Sequence, residues 1–409
     1  MDLQLIELVV STFSLLRSSP VTPARALMLS DPARLIFWLS LTLILYVYAG
    51  YPLLLVSGLL SRRKPIRRGA TLPSLSVLIP AHNEEKTIAG RIENLLSSDY
   101  PPHLFQILVG DDASTDRTAA IVDSLADENV QLISAFVRRG KSAIQNELVA
   151  RASGSILVFT DADCFLQSHA LRLLVENFTD PAVGLATNRP SFSNPRETRV
   201  VEAENLYWRY EHWLRQQESD RGLLAMASGS LFALRREHWQ PLDPNVSDDF
   251  VLPLRVSLQG CRNVLDSRVS ALTKLTQKHA PAMLHMKMRI ISKDFRGLLH
   301  NLTAANPFCT GPVAVALWSH KLLRWLVPYF LLALAVSNLF LNSHAPYAAF
   351  FIAQALFYAL ALAGALDRGR HLKFPFSVAS SFCLVNCAAL LGTLHCLAGR
   401  TAGQWRTIR

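Results

Sequence analysis

Apolar positions in this chain follow two patterns. Between Ser74 and about Asp266 they form short runs separated by amphipathic stretches and loops. Toward the start and over the last hundred residues they merge into long segments with few charges. Within the central window, Leu75–Pro80, Phe105–Gly110, Val130–Ser134 and Ile156–Thr160 read as short strands. Between them, Thr87–Ser97 reads as a helix with acidic residues at its start, where the helix dipole favours them. Ser114 or Thr115 can cap a helix running through Leu125, and Gly140–Ala152 is a third. Longer amphipathic helices are expected over Pro195–Gln217 and Val246–Leu258, the latter stopped by Gly260. This β-α-β-α-β succession predicts an α/β domain with a largely parallel, doubly wound sheet.

The outer segments predict membrane helices. Leu35–Leu60 carries no charge and as a helix would reach roughly 39 Å, enough to cross a bilayer with some tilt. Pro52 is a kink point within it. Arg62, Arg63, Lys64, Arg67 and Arg68 follow at once, which places that end in the cytoplasm. Trp325–Leu341, Pro346–Leu366 and Phe374–Ala398 are further candidate spans. Ala314–Arg324, with His320, Lys321 and Arg324 among apolar residues, reads as a helix on the membrane surface. The first sixteen residues lack the basic start and cleavage site of a signal peptide and read as an interfacial helix.

Composition supports this division. Half of the 409 residues are apolar and 18% are charged, and the mean hydropathy of +0.23 is high for a soluble enzyme. The net charge of +10 is accounted for by ordinary juxtamembrane basic residues. No basic run is interleaved with aromatics, so nucleic-acid binding is not expected. Cysteines 164, 261, 309, 383, 387 and 396 form no Cys-x-x-Cys pair, which argues against a zinc site or a disulfide framework.

Three acidic clusters stand out: Asp111-Asp112, Asp161-Ala162-Asp163 and Ser247-Asp248-Asp249. The first two follow predicted strands, and the carboxyl ends of strands in such folds face one crevice. Carboxylates crowded there repel unless a cation joins them, so a metal-bound diphosphate is the leading idea. Asp161 and Asp163, two apart in a strand-end loop, suit Mg²⁺ or Mn²⁺ shared with substrate phosphates; a solvated loop pair is the plain alternative. Asp111 and Asp112 can accept from a nucleobase or ribose, or simply start a helix. Lys141, near a helix start, can hold a diphosphate or be a surface lysine. Asp248 can cap its helix, leaving a neighbouring carboxylate as a general base. Ser228-Gly229-Ser230 allows close approach of a ligand or marks a tight turn.

Together these motifs resemble membrane-bound family-two glycosyltransferases of the GT-A fold, the broad group of cellulose, hyaluronan and poly-N-acetylglucosamine synthases. The likeness spans about Leu72 to Leu299. Leu78 to Glu85 resembles the opening strand and nucleotide-contacting loop, which implies donor contacts for Pro80, Ala81, Asn83 and Glu84. Asp111 to Asp116 resembles the uridine-binding acidic motif. Arg139-Gly140-Lys141-Ser142-Ala143, with Asn146, resembles the segment near the diphosphate. Asp161-Ala162-Asp163 matches the metal motif. Ser247-Asp248-Asp249 resembles the Thr-Glu-Asp motif, whose last residue is the base, so that role passes to Asp249, with Asp248 beside it. Met286-Lys287-Met288-Arg289-Ile290 stands where processive relatives carry Gln-x-x-Arg-Trp; Arg289 remains, but the Trp that stacks on an acceptor sugar is absent. The tail around Trp405 resembles a segment that closes over the nucleotide in some relatives. That role needs a cytoplasmic tail, whereas three full spans after the domain would leave it outside.

The resemblance implies an α/β, GT-A (Rossmann-like, mixed mostly parallel sheet) cytoplasmic domain over 72–300. A membrane region over 1–64 precedes it, and interfacial and transmembrane helices with a basic tail follow over 301–409. It implies a metal-dependent inverting transferase using Mg²⁺ or Mn²⁺, a nucleotide-sugar donor (a UDP-sugar) and a lipid-linked or glycan acceptor. The setting would be a bacterial inner membrane, in contact with membrane lipid and other polysaccharide-assembly proteins. A processive synthase and a catalytically silent nucleotide- or glycan-binding subunit are the competing expectations.

Overall fold

The computed structural model describes residues 23–125, 127–192, 199–273, 280–367 and 375–400. The expectations for the first sixteen residues and for Trp405 fall outside these. The chain divides into two compact units, residues 1–45 with 329–357 and residues 46–328 with 358–409. The smaller has its own apolar core of Ala33, Phe37, Leu334 and Leu341. Phe37 is fully buried and meets Trp38, Tyr347 and Phe350 edge-on.

The larger unit is built on an eight-stranded sheet. Its strands are β1 (Leu75–Ala81), β2 (Phe105–Asp111), β3 (Val130–Ser134), β4 (Ile156–Thr160), β5 (Phe165–Leu166), β6 (Val183–Phe192), β7 (Leu231–Arg235) and β8 (Arg262–Thr273). They are ordered β3-β2-β1-β4-β7-β6-β8-β5. The pairs β1–β2, β1–β4, β2–β3 and β6–β8 are parallel, and β4–β7, β6–β7 and β5–β8 are antiparallel. This is the mixed, mostly parallel sheet of the GT-A fold. Every residue of β1 and of β4 is buried, as expected of strands covered on both faces. The two cores lie on opposite faces, one around Val77, Ile79, Ile92 and Val158, the other around Leu78, Leu108, Leu148 and Phe159. Gly154 is required where the chain enters β4, because a Cβ there would lie 2.5 Å from backbone atoms of Leu75 and Ser76.

Among the described residues, the α-helices of six residues or more are α1 (Pro23–Leu45), α2 (Tyr51–Val56), α3 (Ile88–Leu96), α4 (Thr118–Ser124), α5 (Lys141–Arg151), α6 (Ala170–Glu176), α7 (Arg199–Asp220), α8 (Asp248–Leu258), α9 (Ala280–His300), α10 (Pro312–Leu317), α11 (Leu323–Leu341), α12 (Ala345–Leu366) and α13 (Phe376–Leu397). Among the described residues, four helical runs are long and apolar enough to cross a membrane: Asp31–Val56, Pro312–Leu341, Ala345–Leu366 and Phe376–Leu397.

Three local expectations are corrected. The first turn of α3 holds no acidic residue; Glu84 precedes it, and its backbone carbonyl accepts from the Thr87 and Ile88 N–H groups. No side chain caps α4 at its N-cap residue, Arg117. Ser114 instead accepts from the Asn83 N–H, and Asp116 accepts from the Thr118 N–H. The third concerns Ala314–Arg324, which is not a separate surface helix. It joins α11 through a π-helical turn, Trp318–Leu322, and its polar residues point into protein. His320 is 1% exposed and lies between Glu218 (2.8 Å) and Glu211 (3.1 Å). Arg324 reaches Glu211 at 2.8 Å, and Lys321 lies 3.8 Å from Asp294. Carboxylates on α7 and α9 supply what water or lipid headgroups would otherwise provide, which offsets the cost of burying Lys321 and Arg324.

Candidate active site

The carboxyl ends of β1, β2 and β4 bring the first two acidic clusters together. The loop after β1 is stitched to the loop after β2. The Asp112 N–H donates to the Ala81 carbonyl at 2.8 Å, and Asn83 Oδ1 accepts from the Thr115 N–H at 2.8 Å. Asn83 and Ala113 both have positive φ, which fits a tightly folded corner. Both oxygens of Asp112 accept backbone N–H groups, from Arg139 at 2.6 Å and Gly140 at 2.9 Å. Asp111 accepts from the Ser114 N–H. These two aspartates therefore fasten the surrounding loops to each other. Pro80 and Ala81 are buried at the end of β1.

Asp161 and Asp163 follow β4 directly. Asp163 is pushed up to about 6 by burial and by the charges of Asp161 and Glu84. Behind this loop lies Arg91 from α3, which is fully buried and donates to Thr160 Oγ1 at 2.9 Å. Burial lowers Arg91 to about 10, and the charges of Cys164, Asp161 and Asp163 act against that. Sequence reading gave no signal for Arg91, which sits in an otherwise ordinary amphipathic helix.

β4 is also where the sheet changes from parallel to antiparallel pairing. Thr160 is in register with Leu231, and Thr160 Oγ1 donates to the Ser230 carbonyl at 2.9 Å. Ser228-Gly229-Ser230 thus runs beside the Asp161 loop, with the start of α8 close by. Lys141 joins the clusters: its Nζ is 2.9 Å from Asp161 Oδ1 and 3.4 Å from Asp248 Oδ2. Burial would lower Lys141, but Asp161, Asp248 and Asp249 hold it charged. Asp248 also accepts from Gln145 Nε2 at 2.6 Å. Asp249, by contrast, lines a cavity of about 360 Å³. It is pushed up to about 7 by burial, then by Asp248 and Asp294, against Lys141 and Lys321.

A Cβ on Gly229 would lie 3.1 Å from Asp249 Oδ2. Gly229→Ala is expected to displace that carboxylate and slow any turnover at this site by about tenfold or more. Its melting temperature should stay within about 2 °C of wild type, since only a side-chain tip must move. Steady-state kinetics and a melting curve on the purified protein check both.

Helix α9 brings two more cations. Arg289 is half-buried and lies within the field of Asp161 and Asp249. Lys293, one turn on, is lowered by burial and by Arg289, and feels Asp248, Lys141 and Asp249. Lys293 was not anticipated from sequence; its spacing from Arg289 on one helix face was the available signal. Ile290 lines the cavity at the position of the missing Trp, but Tyr207 and Trp208 of α7 and Trp325 of α11 supply aromatic walls. Sequence reading missed these, because nothing local ties α7 to Asp249. The structure thus gathers Asp161, Asp248, Asp249, Lys141 and Arg289, with Glu84 and Asp163 adjoining.

The strand-end carboxylates and the antiparallel wing belong to one mixed α/β architecture, with the clusters gathered where the pairing changes. Residues 76–240 match the family described as Glycosyl transferase family 2, so the chain carries a domain of that family, in the GT-A fold. It is 29% identical over 198 residues to a beta-monoglucosyldiacylglycerol synthase of a Nostoc species, covering 46% of this chain and 42% of that protein. It is 28% identical over 142 residues to a poly-beta-1,6-N-acetyl-D-glucosamine synthase of Staphylococcus epidermidis, covering 32% of this chain and 34% of that one. The match thus spans about two fifths or less of the length of these two relatives. In three dimensions the chain is similar to a mannosyltransferase from Pyrobaculum calidifontis in complex with GDP-Man and Mn2+. The TM-score is 0.69 at 20% identity, covering 88% of this chain and 99% of that one.

Proposed function

We propose that the protein is an inverting glycosyltransferase. It moves a sugar from a nucleotide-sugar, a UDP-sugar, to a lipid-linked or glycan acceptor at the cytoplasmic face of a membrane. The observation that carries this reading is the division of labour at the start of α8. Asp248 is spent on Lys141 and Gln145, while Asp249 faces a cavity with its carboxyl held near neutrality. A general base is most useful when its pKa lies near the working pH. Asp249 would take the proton from an acceptor hydroxyl as that oxygen attacks the anomeric carbon opposite the leaving diphosphate. Lys141 and Arg289, with Lys293, would receive the diphosphate. Attack from that face inverts the anomeric carbon, and an α-linked donor yields a β-linked product.

The residues at β4 fit a divalent cation. Asp161 and Asp163 crowd like charge that a cation would offset. Among the described residues no group of three or more His, Cys, Asp or Glu side chains is arranged to hold a metal alone. Two carboxylates with the remaining positions left to phosphate and water is the usual Mg²⁺ or Mn²⁺ arrangement. When bound, the ion would offset charge on the departing diphosphate. Ile290 in place of an aromatic favours single transfer over polymerisation. The test is release of uridine diphosphate by purified protein from a panel of donors, with Mg²⁺ or Mn²⁺, together with product length. Tight donor binding without turnover of any donor would support a silent binding subunit instead, and long polymer made without added acceptor a processive synthase.

A further inference from the structure

The cavity beside Asp249 is lined by the apolar and aromatic residues Tyr207, Trp208, Met226, Phe250, Ile291 and Trp325, and by the cations Arg215, Lys287, Lys321 and Arg324 with the carboxylates Glu211, Asp249 and Asp294. The two sets are interleaved: Lys321 lies over Phe250 and Trp325, Arg215 over Trp208 and Lys287 over Tyr207. Cations outnumber acids there, and one acid is the group assigned to take up a proton. Glu211 is already shared by Arg215, Arg324 and His320. Arg324 spends one nitrogen on Glu211, while its Nε and Nη2 are buried without a hydrogen-bond partner. A guanidinium normally fills its fork, and an unfilled one inside a cavity is matched to a planar or tetrahedral oxyanion.

The cavity is also walled by three of the runs able to cross a membrane. Tyr48 belongs to Asp31–Val56, Arg324 to Pro312–Leu341 and Asn386 to Phe376–Leu397. Its volume, about 360 Å³, sits at the low end of the ~300–1,000 Å³ typical of ligand pockets, enough for one polar head.

We propose that this cavity receives the head of an anionic membrane amphiphile that carries both a phosphate and a free hydroxyl. The phosphate sits against Arg324 and Lys321, the hydroxyl meets Asp249, and the hydrocarbon chain leaves among the aromatic and aliphatic lining residues. This rests on the reading of Asp249 as the base. The hydroxyl proton passes to Asp249 and the oxygen forms the new bond to the anomeric carbon. The bond from that carbon to the diphosphate breaks, its electron pair leaving with the nucleoside diphosphate, and Asp249 later releases the proton to water.

The full chain in nanodiscs, with a donor identified by the panel above, would be given three acceptors in parallel. These are phosphatidylglycerol, a polyprenyl-diphosphate-linked sugar, and neutral diacylglycerol in phosphatidylcholine. Saturable acceleration of nucleotide release by one of the first two, but not by the third, is the expected result; which one responds identifies the source of the phosphate. Arg324→Gln should raise the KM for that lipid about ten- to hundredfold, the loss of a hydrogen bond to a charged group, and leave the donor KM unchanged. Arg324→Lys should recover part of the loss. Equal acceleration by diacylglycerol would overturn the inference, and so would an unchanged lipid KM in Arg324→Gln whose melting curve matches wild type. If no lipid accelerates release while donor still binds and turns over on glycan, this inference fails and the transferase reading stands. If no donor turns over at all, the transferase reading itself fails.

Discussion

Asp249→Asn is expected to reduce transfer by about 10²–10⁴-fold, the usual contribution of a positioned general base, while donor and cation still bind. Asparagine keeps the shape and cannot accept the proton. The wild-type rate should fall as pH drops below about 7, because the buried carboxyl is held protonated there; the residual rate of the variant should be flat over the same range. Stability should move the other way. The folded state binds this proton more tightly than the unfolded chain, whose carboxyl titrates near 3.8. Stability from this group is therefore full below the unfolded value and is lost as pH rises toward about 7. Asp249→Asn removes the buried charge, so it should melt higher than wild type at pH 8 and about equally at low pH. A variant that turns over at the wild-type rate ends the base assignment.

Asp163→Ala should abolish the cation dependence of donor binding. With Mn²⁺ or Mg²⁺ present, affinity should drop about 100-fold or more, several kcal/mol of charge stabilisation, to the level found in chelator. Without a cation the variant should bind donor at least as well as wild type, because Asp163 adds negative charge beside Asp161 and Glu84. Calorimetric titration with and without chelator measures both arms. Undiminished cation-dependent affinity would place the ion elsewhere.

The parallel half of the sheet was legible in the sequence for a physical reason. β1 and β4 are buried on both faces, so they read as unbroken apolar runs, and each ends at a loop rich in acidic or polar residues. The half beyond β4 was not. β8 carries Arg262, Asp266 and Arg268 within its length. Asp266 is nonetheless buried, satisfied by Asn177 at 2.8 Å and Arg268 at 2.7 Å. Arg268 is only two residues along the same strand, but the bond to Asn177, 89 positions away, leaves no local trace. The same limit governs the site. The aspartates announce themselves by short spacings at strand ends. Arg91, Lys293, Tyr207 and Arg324 reach it from separate helices and look like ordinary residues of amphipathic or membrane segments. Ala314–Arg324 shows the ambiguity most plainly, since cations among apolar residues suit a bilayer surface and a buried ion network equally well.

β4 has a further consequence. It is flanked by β1 on one edge and β7 on the other, running with the first and against the second. On the proposed reading, most groups that would hold the donor come from the chain up to the loop after β4, and the proposed base comes from the chain after β7; α5 clasps the two stretches together through Gln145 to Asp248 and Asn146 to the Leu242 carbonyl.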